Sequence, residues 1–202
     1  MPQCMLKKIF ILIVIAFAGF SAKAQTADEV YNQYLDFNLA RLQGEQDKAS
    51  DLGEKILPNA EKLPEKARTN FYFSIGKIYE DTKQLQKARV YYEKVAAAAP
   101  DYYVVHRALG YIYLEDVKII EKKLNASLND QALNAQLTKD YSSAVKKALP
   151  HLEKAQACDP SDETLAIIKL LYKNIHDPRG VSTLDGRLKE LSKNCIDVLS
   201  DR

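Results

Sequence analysis

Thr69-Asn70-Phe71-Tyr72-Phe73-Ser74-Ile75-Gly76-Lys77-Ile78-Tyr79, followed by Ala88-Arg89-Val90-Tyr91-Tyr92 and closed by Pro100, is the stretch on which the fold of this 202-residue chain turns. Its apolar and small residues recur at steps of three and four, which places them on one face of a helix. Gly76 and Ala88 are small enough to let two antiparallel helices approach closely, while Tyr72, Ile75, Tyr79 and Tyr92 fill the space around that contact. Pro100 ends the second helix, because it lacks the amide proton that another turn requires.

The same pattern returns downstream. His106-x-x-Leu109-Gly110-x-x-Tyr113 sets Gly110 34 residues after Gly76, and the second half of this unit reappears as Ala148-x-x-x-Leu152, Ala155 and Pro160. Tyr113 and Ala148 are 35 steps apart, whereas Tyr79 and Ala88 are nine apart, so 26 residues are inserted. Leu114, Val117, Ile120, Leu124 and Leu128 continue the first stripe, and Leu133, Leu137, Tyr141, Ala144 and Val145 lead into the second. Both helices are therefore extended, with a turn near Asn129-Asp130 and a projection of roughly 20 Å beyond their neighbours.

Upstream, Thr26-Ala27-Asp28-Glu29 is a capping box opening a helix striped by Val30, Tyr31, Tyr34, Leu35, Leu39 and Leu42 and closed by Gly44. A second helix from about Glu45 carries Ala49, Leu52, Ile56, Ala60 and Leu63, with a kink expected at Pro58 and an exit at Pro64. At the other end, Ser161-Asp162-Glu163 caps a helix bearing Thr164, Ile167, Ile168 and Leu171, and His176 to Gly180 makes a turn. A last helix from near Ser182 is expected to bury Leu184, Leu188, Leu191, Cys195 and Val198. No run alternates with period two between paired turn residues, so the class is all-α.

At seven fixed offsets over 32 residues, the stretch from Thr69 to Pro100 resembles the tetratricopeptide repeat family, whose pattern is aromatic-x-x-Leu-Gly-x-x-Tyr, Ala-x-x-x-Phe and Pro. The resemblance implies a right-handed α-solenoid of about four antiparallel helix pairs, near 26–63, 66–100, 101–160 and 161–200, forming one domain over 25–202 with its third pair elongated. It also implies a concave groove lined by the first helix of each pair. Family positions that face ligand fall on Asn70, Phe73, Lys77, Glu80 and Asp81 in the second pair. In the third they fall on Val104, Arg107, Tyr111, Leu114 and Glu115, and in the fourth on Asp162, Leu165, Lys169, Tyr172 and Lys173. Aromatic faces and basic groups there would suit an extended peptide with acidic side chains. The family's two-carboxylate clamp is not reproduced, since Phe73 stands where it needs a lysine.

Residues 1–24 read as an export signal. Lys7 and Lys8 precede a 12-residue apolar run from Ile9 to Phe20, and Ala22-Lys23-Ala24 offers a small-x-small cleavage site before Gln25. A membrane span needs about 20 apolar residues, so no stable insertion is expected once this segment is cleaved, and the placement is periplasmic or secreted. Cys4 precedes the apolar run, which argues against a lipid-attachment cysteine. Cleavage removes three lysines and no acids, taking the formal charge from +2 to −1, and nothing then favours nucleic acid. Cys158 and Cys195 are 37 residues apart, a spacing compatible with a disulfide between neighbouring helices or with two free thiols.

Catalytic and metal-binding patterns are not found. His106, His151 and His176 have no ligand spacing, and there is no nucleophile elbow, phosphate-binding glycine loop or Cys-x-x-Cys. His106 falls at an aromatic core position. The expectation is a non-enzymatic adaptor without cofactor or metal, holding a protein or peptide partner in its groove. The alternative is a structural or self-associating protein that uses the extended hairpin around 114–145 as a docking arm, with a homo-oligomer as one outcome.

Overall fold

The computed structural model describes residues 25–199, and the export-signal reading of residues 1–24 lies outside the described residues. The described chain is all-helical, with nine α-helices and no strand. They are α1 (Ala27–Leu42), α2 (Gln46–Ile56), α3 (Glu65–Asp81), α4 (Leu85–Ala98), α5 (Tyr103–Ala126), α6 (Gln131–Cys158), α7 (Asp162–Asn174), α8 (Pro178–Ser182) and α9 (Leu184–Leu191). Packing follows chain order: α1 with α2, α3 with α4 and α5 with α6 make the broadest contacts, α5 also meets α4, and α6 meets both α7 and α9. None of these helices is long and apolar enough to cross a membrane.

Helix starts follow local chemistry. Thr26 accepts from the Glu29 amide while Glu29 reaches back to the Thr26 amide, closing the expected box. Asp130 accepts from the Leu133 amide, Ser161 from Thr164 and Asp177 from Gly180, each satisfying a donor that its helix leaves unpaired. Three helix ends share one turn. Gly44, Lys83 and His176 adopt positive φ (74°, 62° and 54°). In each case the next amide bonds the carbonyl five residues back, Glu45 to Ala40, Gln84 to Tyr79 and Asp177 to Tyr172. This left-handed cap satisfies the last carbonyls and reverses the chain. Between α5 and α6 it is replaced by the long hairpin, which turns at Ser127–Asp130.

Close approach occurs at the two motif glycines, as it does at Gly53 and Gly180. A Cβ on Gly76 would lie 2.7 Å from the Tyr92 ring, and one on Gly110 2.7 Å from Leu152 and 3.2 Å from its backbone nitrogen. Tyr92 and Leu152 thus play the same part in successive helix pairs, and Ala88 and Ala148 beside them are fully buried. Tyrosine hydroxyls join one pair to the one before it. Tyr79 of α3 donates to Glu54 of α2 at 2.6 Å, Tyr113 of α5 to Glu93 of α4, and Tyr172 of α7 to Glu153 of α6 at 2.6 Å. A hydroxyl shared with a carboxylate at each seam fixes rotation as well as distance, which apolar contact alone does not. One continuous core runs from Val30 to Leu184.

Three local expectations are corrected. On α1 the buried face is Val30, Tyr34, Phe37 and Ala40, while Tyr31, Leu35, Leu39 and Leu42 are exposed. The helix is apolar on two sides, and the side that meets Phe71 is the buried one. Pro58 does not kink a continuous helix; α2 stops at Ile56 and residues Leu57–Lys62 tighten into a 3-10 turn with the proline near its start, where no amide is needed. The last helix ends at Leu191, so Cys195 and Val198 are exposed and Leu188 and Leu191 only half-buried. Beyond it the chain leaves the helical register and turns back across the molecule.

Candidate functional site

That returning segment leads to the site. Lys154, buried on α6, donates to the Asp101 carboxylate at 2.8 Å and to the Leu191 carbonyl at 3.2 Å, and it also holds the Asn194 carbonyl. An ammonium has three protons, and here all three are taken by oxygen, the condition under which a lysine can be buried while charged. One residue later Cys195 is joined to Cys158. The chain is then extended. The Ile196 amide donates to the Asp101 carbonyl at 2.8 Å, and the Tyr103 amide donates to the Ile196 carbonyl at 3.1 Å, a single parallel bridge centred on Tyr102.

Asp197, Val198 and Leu199 follow this bridge into a cleft of about 680 Å³. One wall is α1, through Tyr34, Asn38 and Arg41; the other is α3, through Asn70 and Phe73; Tyr102 forms the end. Helical spacing explains the walls, since Tyr34, Asn38 and Arg41 lie on one side of α1, and Asn70 and Phe73 are one turn apart on α3. Tyr102 packs edge-on against Phe73 with ring centres 5.0 Å apart, so the two rings fix each other. Burial, then the charges of Tyr103 and Asp197, push the Tyr102 phenol up to about 12, which keeps its proton in place at neutral pH. Arg41 lies over the Phe37 ring and donates to Asn38 Oδ1 at 3.1 Å. The cleft therefore offers aromatic faces, amides and a guanidinium, and within it Leu199 packs against the core while Val198 points to solvent.

The residues expected to face a ligand divide into three groups. Asn70 and Phe73 line this cleft, and Lys77 and Asp81 line an adjoining cavity of about 170 Å³ between α1 and α3, where Lys77 pairs with Asp81 at 2.7 Å. Others are turned inward. Glu80 accepts the Tyr92 hydroxyl at 2.7 Å, Leu114 is buried, and Val104 and Leu165 pack against the core. Tyr172 is 9% exposed and bonded to Glu153 and Arg187, so it belongs to a helix seam instead of an open surface. The remainder are scattered: Tyr111 meets the Thr164 hydroxyl at 3.1 Å, Arg107 pairs with Asp159, Glu115 pairs with Lys118, Asp162 starts α7, and Lys169 is exposed. Lys173 borders a separate cleft of about 510 Å³ beside the hairpin, with Tyr141 and His176.

Sequence reasoning missed Tyr34, Asn38 and Arg41 as cleft residues because the first pair lacks the motif from which positions were counted, and Tyr102 because it lies on the connection between α4 and α5. The tail was missed for a different reason. Cys195 and Val198 continue a helical spacing, and the disulfide with Cys158, one of the two alternatives that the spacing allowed, draws the segment elsewhere together with Lys154 and the bridge at Tyr102.

A second cluster lies where α5 meets α6. His106 and His151 face each other with their Nδ1 atoms 3.0 Å apart, and His151 stacks on Tyr113 at 5.5 Å. Burial, then the neighbouring ring, pushes His151 down to about 4, and burial with the Lys154 charge lowers His106. Both rings are neutral at pH 7, so one nitrogen of the pair donates and the other accepts. His106 Nε2 is buried without a hydrogen bond. Among the described residues no group of three or more His, Cys, Asp or Glu side chains is placed to hold a metal ion. No protein-family model matches this chain, and no curated protein matches it.

Proposed function

We propose that this chain is an exported, non-enzymatic adaptor of the tetratricopeptide type, a right-handed solenoid of about four antiparallel helix pairs that binds an extended segment of a protein partner in its concave groove. Three recurrences support the solenoid: the glycine contacts at Gly76 and Gly110, the left-handed caps at Gly44, Lys83 and His176, and the tyrosine–glutamate bonds between successive pairs. One observation carries the binding reading. The cleft between α1, α3 and Tyr102 already receives an extended backbone, which takes two main-chain hydrogen bonds and places one aliphatic side chain against the core. Export rests on the basic, apolar and small-residue sequence of residues 1–24.

The test is a plug. Asn70→Trp from one wall and Asn38→Trp from the other each fill the cleft, and unchanged thermal midpoints would establish that the fold is intact. In-cell crosslinking with mass spectrometry then identifies what the parent chain holds. The reading requires the same partner to be lost in both variants; a partner retained by both places binding on another surface.

A second reading has its own support. Ile119, Leu128 and Leu133 are exposed on the projecting hairpin. As a docking arm it would bury these against a second copy, and light scattering on Leu128→Glu/Leu133→Glu decides it, since an unchanged mass rules out self-association through the tip.

A further inference from the structure

The tail stands in the place that the proposed ligand would occupy. It is anchored at its root by the Cys158–Cys195 bond and by Lys154, and past the root Ile196, Asp197 and Val198 are open to solvent. Ile196 and Val198 are 43% and 71% exposed, and among the described residues the main-chain hydrogen bonds of the segment past Cys195 are those of Ile196 to Asp101 and Tyr103. A firm root with a solvent-exposed end keeps a tethered ligand at high local concentration without sealing the cleft. Extended geometry also sets the side-chain pattern. With period two, Asp197 and Leu199 share a face, and Leu199 is the member that packs on the core, so this is the face turned to the cleft. Asp197 lines the cleft together with Tyr102 and with Arg41 of the α1 wall.

Building on the adaptor reading, we propose that residues Ile196 to Leu199 are a built-in occupant of this cleft, and that its partner enters as an extended segment carrying an acidic residue and, two positions later, an aliphatic one, displacing the tail. The partner takes over the two bonds at Asp101 and Tyr103, which any backbone can supply. Specificity comes from the acidic and aliphatic side chains, which meet the Arg41 and Tyr102 side and the Phe73 side of the cleft. The tail is thus a threshold. Segments that bind no better than Asp197-Val198-Leu199 are excluded, because the tethered copy is present at an effective concentration on the order of millimolar.

The experiment uses the whole mature chain. A fluorescein-labelled peptide of residues 195–202, carrying Cys195→Ser, is titrated by anisotropy against the parent and against Ile196→Pro/Leu199→Glu, which leaves the disulfide in place but removes one backbone bond and the half-buried aliphatic side chain. Leu199→Glu alone serves as a second variant. For a peptide of about 100 µM affinity, the released variant is expected to bind about tenfold more tightly than the parent. A probe with Asp197→Lys should lose most of that binding. Equal binding to parent and variants overturns the proposal, and so does no binding to either released form. The adaptor reading fails separately: it is lost only if the crosslinked partner survives both Asn70→Trp and Asn38→Trp. A partner lost to those plugs but held equally by parent and released variants leaves the adaptor standing without a tail threshold.

Discussion

Acidification should weaken the fold through the histidine pair between α5 and α6. His151 is held near pKa 4, against about 6.5 in an unfolded chain, because burial and the adjacent His106 ring disfavour its charged form. Below pH 6.5 the unfolded chain takes up a proton that the folded one refuses. The unfolded state therefore binds more protons, and stability falls as pH falls. The loss begins near pH 6.5, grows down to about pH 4 and is complete below it. For His151 alone it amounts to about 2 kcal/mol at pH 5. His106 is lowered as well and acts in the same direction, while the exposed His176 is common to every comparison. The assay is urea unfolding followed by far-ultraviolet circular dichroism between about pH 7.5 and pH 5. Carboxylates begin to titrate at the acid end, so the comparison is with His151→Leu, which cannot accept a proton. That variant starts less stable, because His106 Nδ1 loses its partner, but its profile should be flatter than the parent profile by about 2 kcal/mol across the range. Parallel profiles, agreeing within about 0.3 kcal/mol after the constant offset, would refute the reasoning.

Gly76→Ala places a methyl 2.7 Å from the Tyr92 ring, and overpacking of about 2 kcal/mol should outweigh the gain in helix propensity, read as a lower urea midpoint. Lys83→Gly should do the reverse: Lys83 is held at φ 62° by the cap after α3, and glycine removes that strain, raising stability by about 0.5–1 kcal/mol in thermal unfolding. Glu153→Ala strips the carboxylate that both Arg187 and Tyr172 bond at the α6–α7–α9 junction. A loss of about 3 kcal/mol is expected, and Glu153→Gln should recover part of it by keeping one acceptor.

What the sequence made legible follows from how local each determinant is. Gly76 and Gly110 could be read as close-approach positions because each sits at the same offset in a repeated motif, while what each meets, Tyr92 and Leu152, is given by the structure. The insertion was readable because its helical spacing persists on both sides of Ser127–Asp130. On α1, by contrast, two apolar faces compete, and the choice between Tyr34 with Phe37 and Tyr31 with Leu35 is made by Phe71 on α3, which periodicity along α1 does not register.

The cleft was half legible for a related reason. Asn70 and Phe73 lie at fixed offsets from the motif, so counting finds them; Tyr34, Asn38 and Arg41 lie on a helix without the motif, and Tyr102 on a connection. Its occupant depends on pairings across 37 residues at Cys158 and 40 at Lys154, and no local period can express either. Such long-range ties are also where function can be adjusted without disturbing the helices. Substitutions at Ile196 or Leu199 change what fills the cleft while leaving each glycine contact, cap and tyrosine–glutamate bond in place. On the adaptor reading proposed above, the packed helices would supply the surface, and the few residues after Cys195 would set how strongly another chain must bind to reach it.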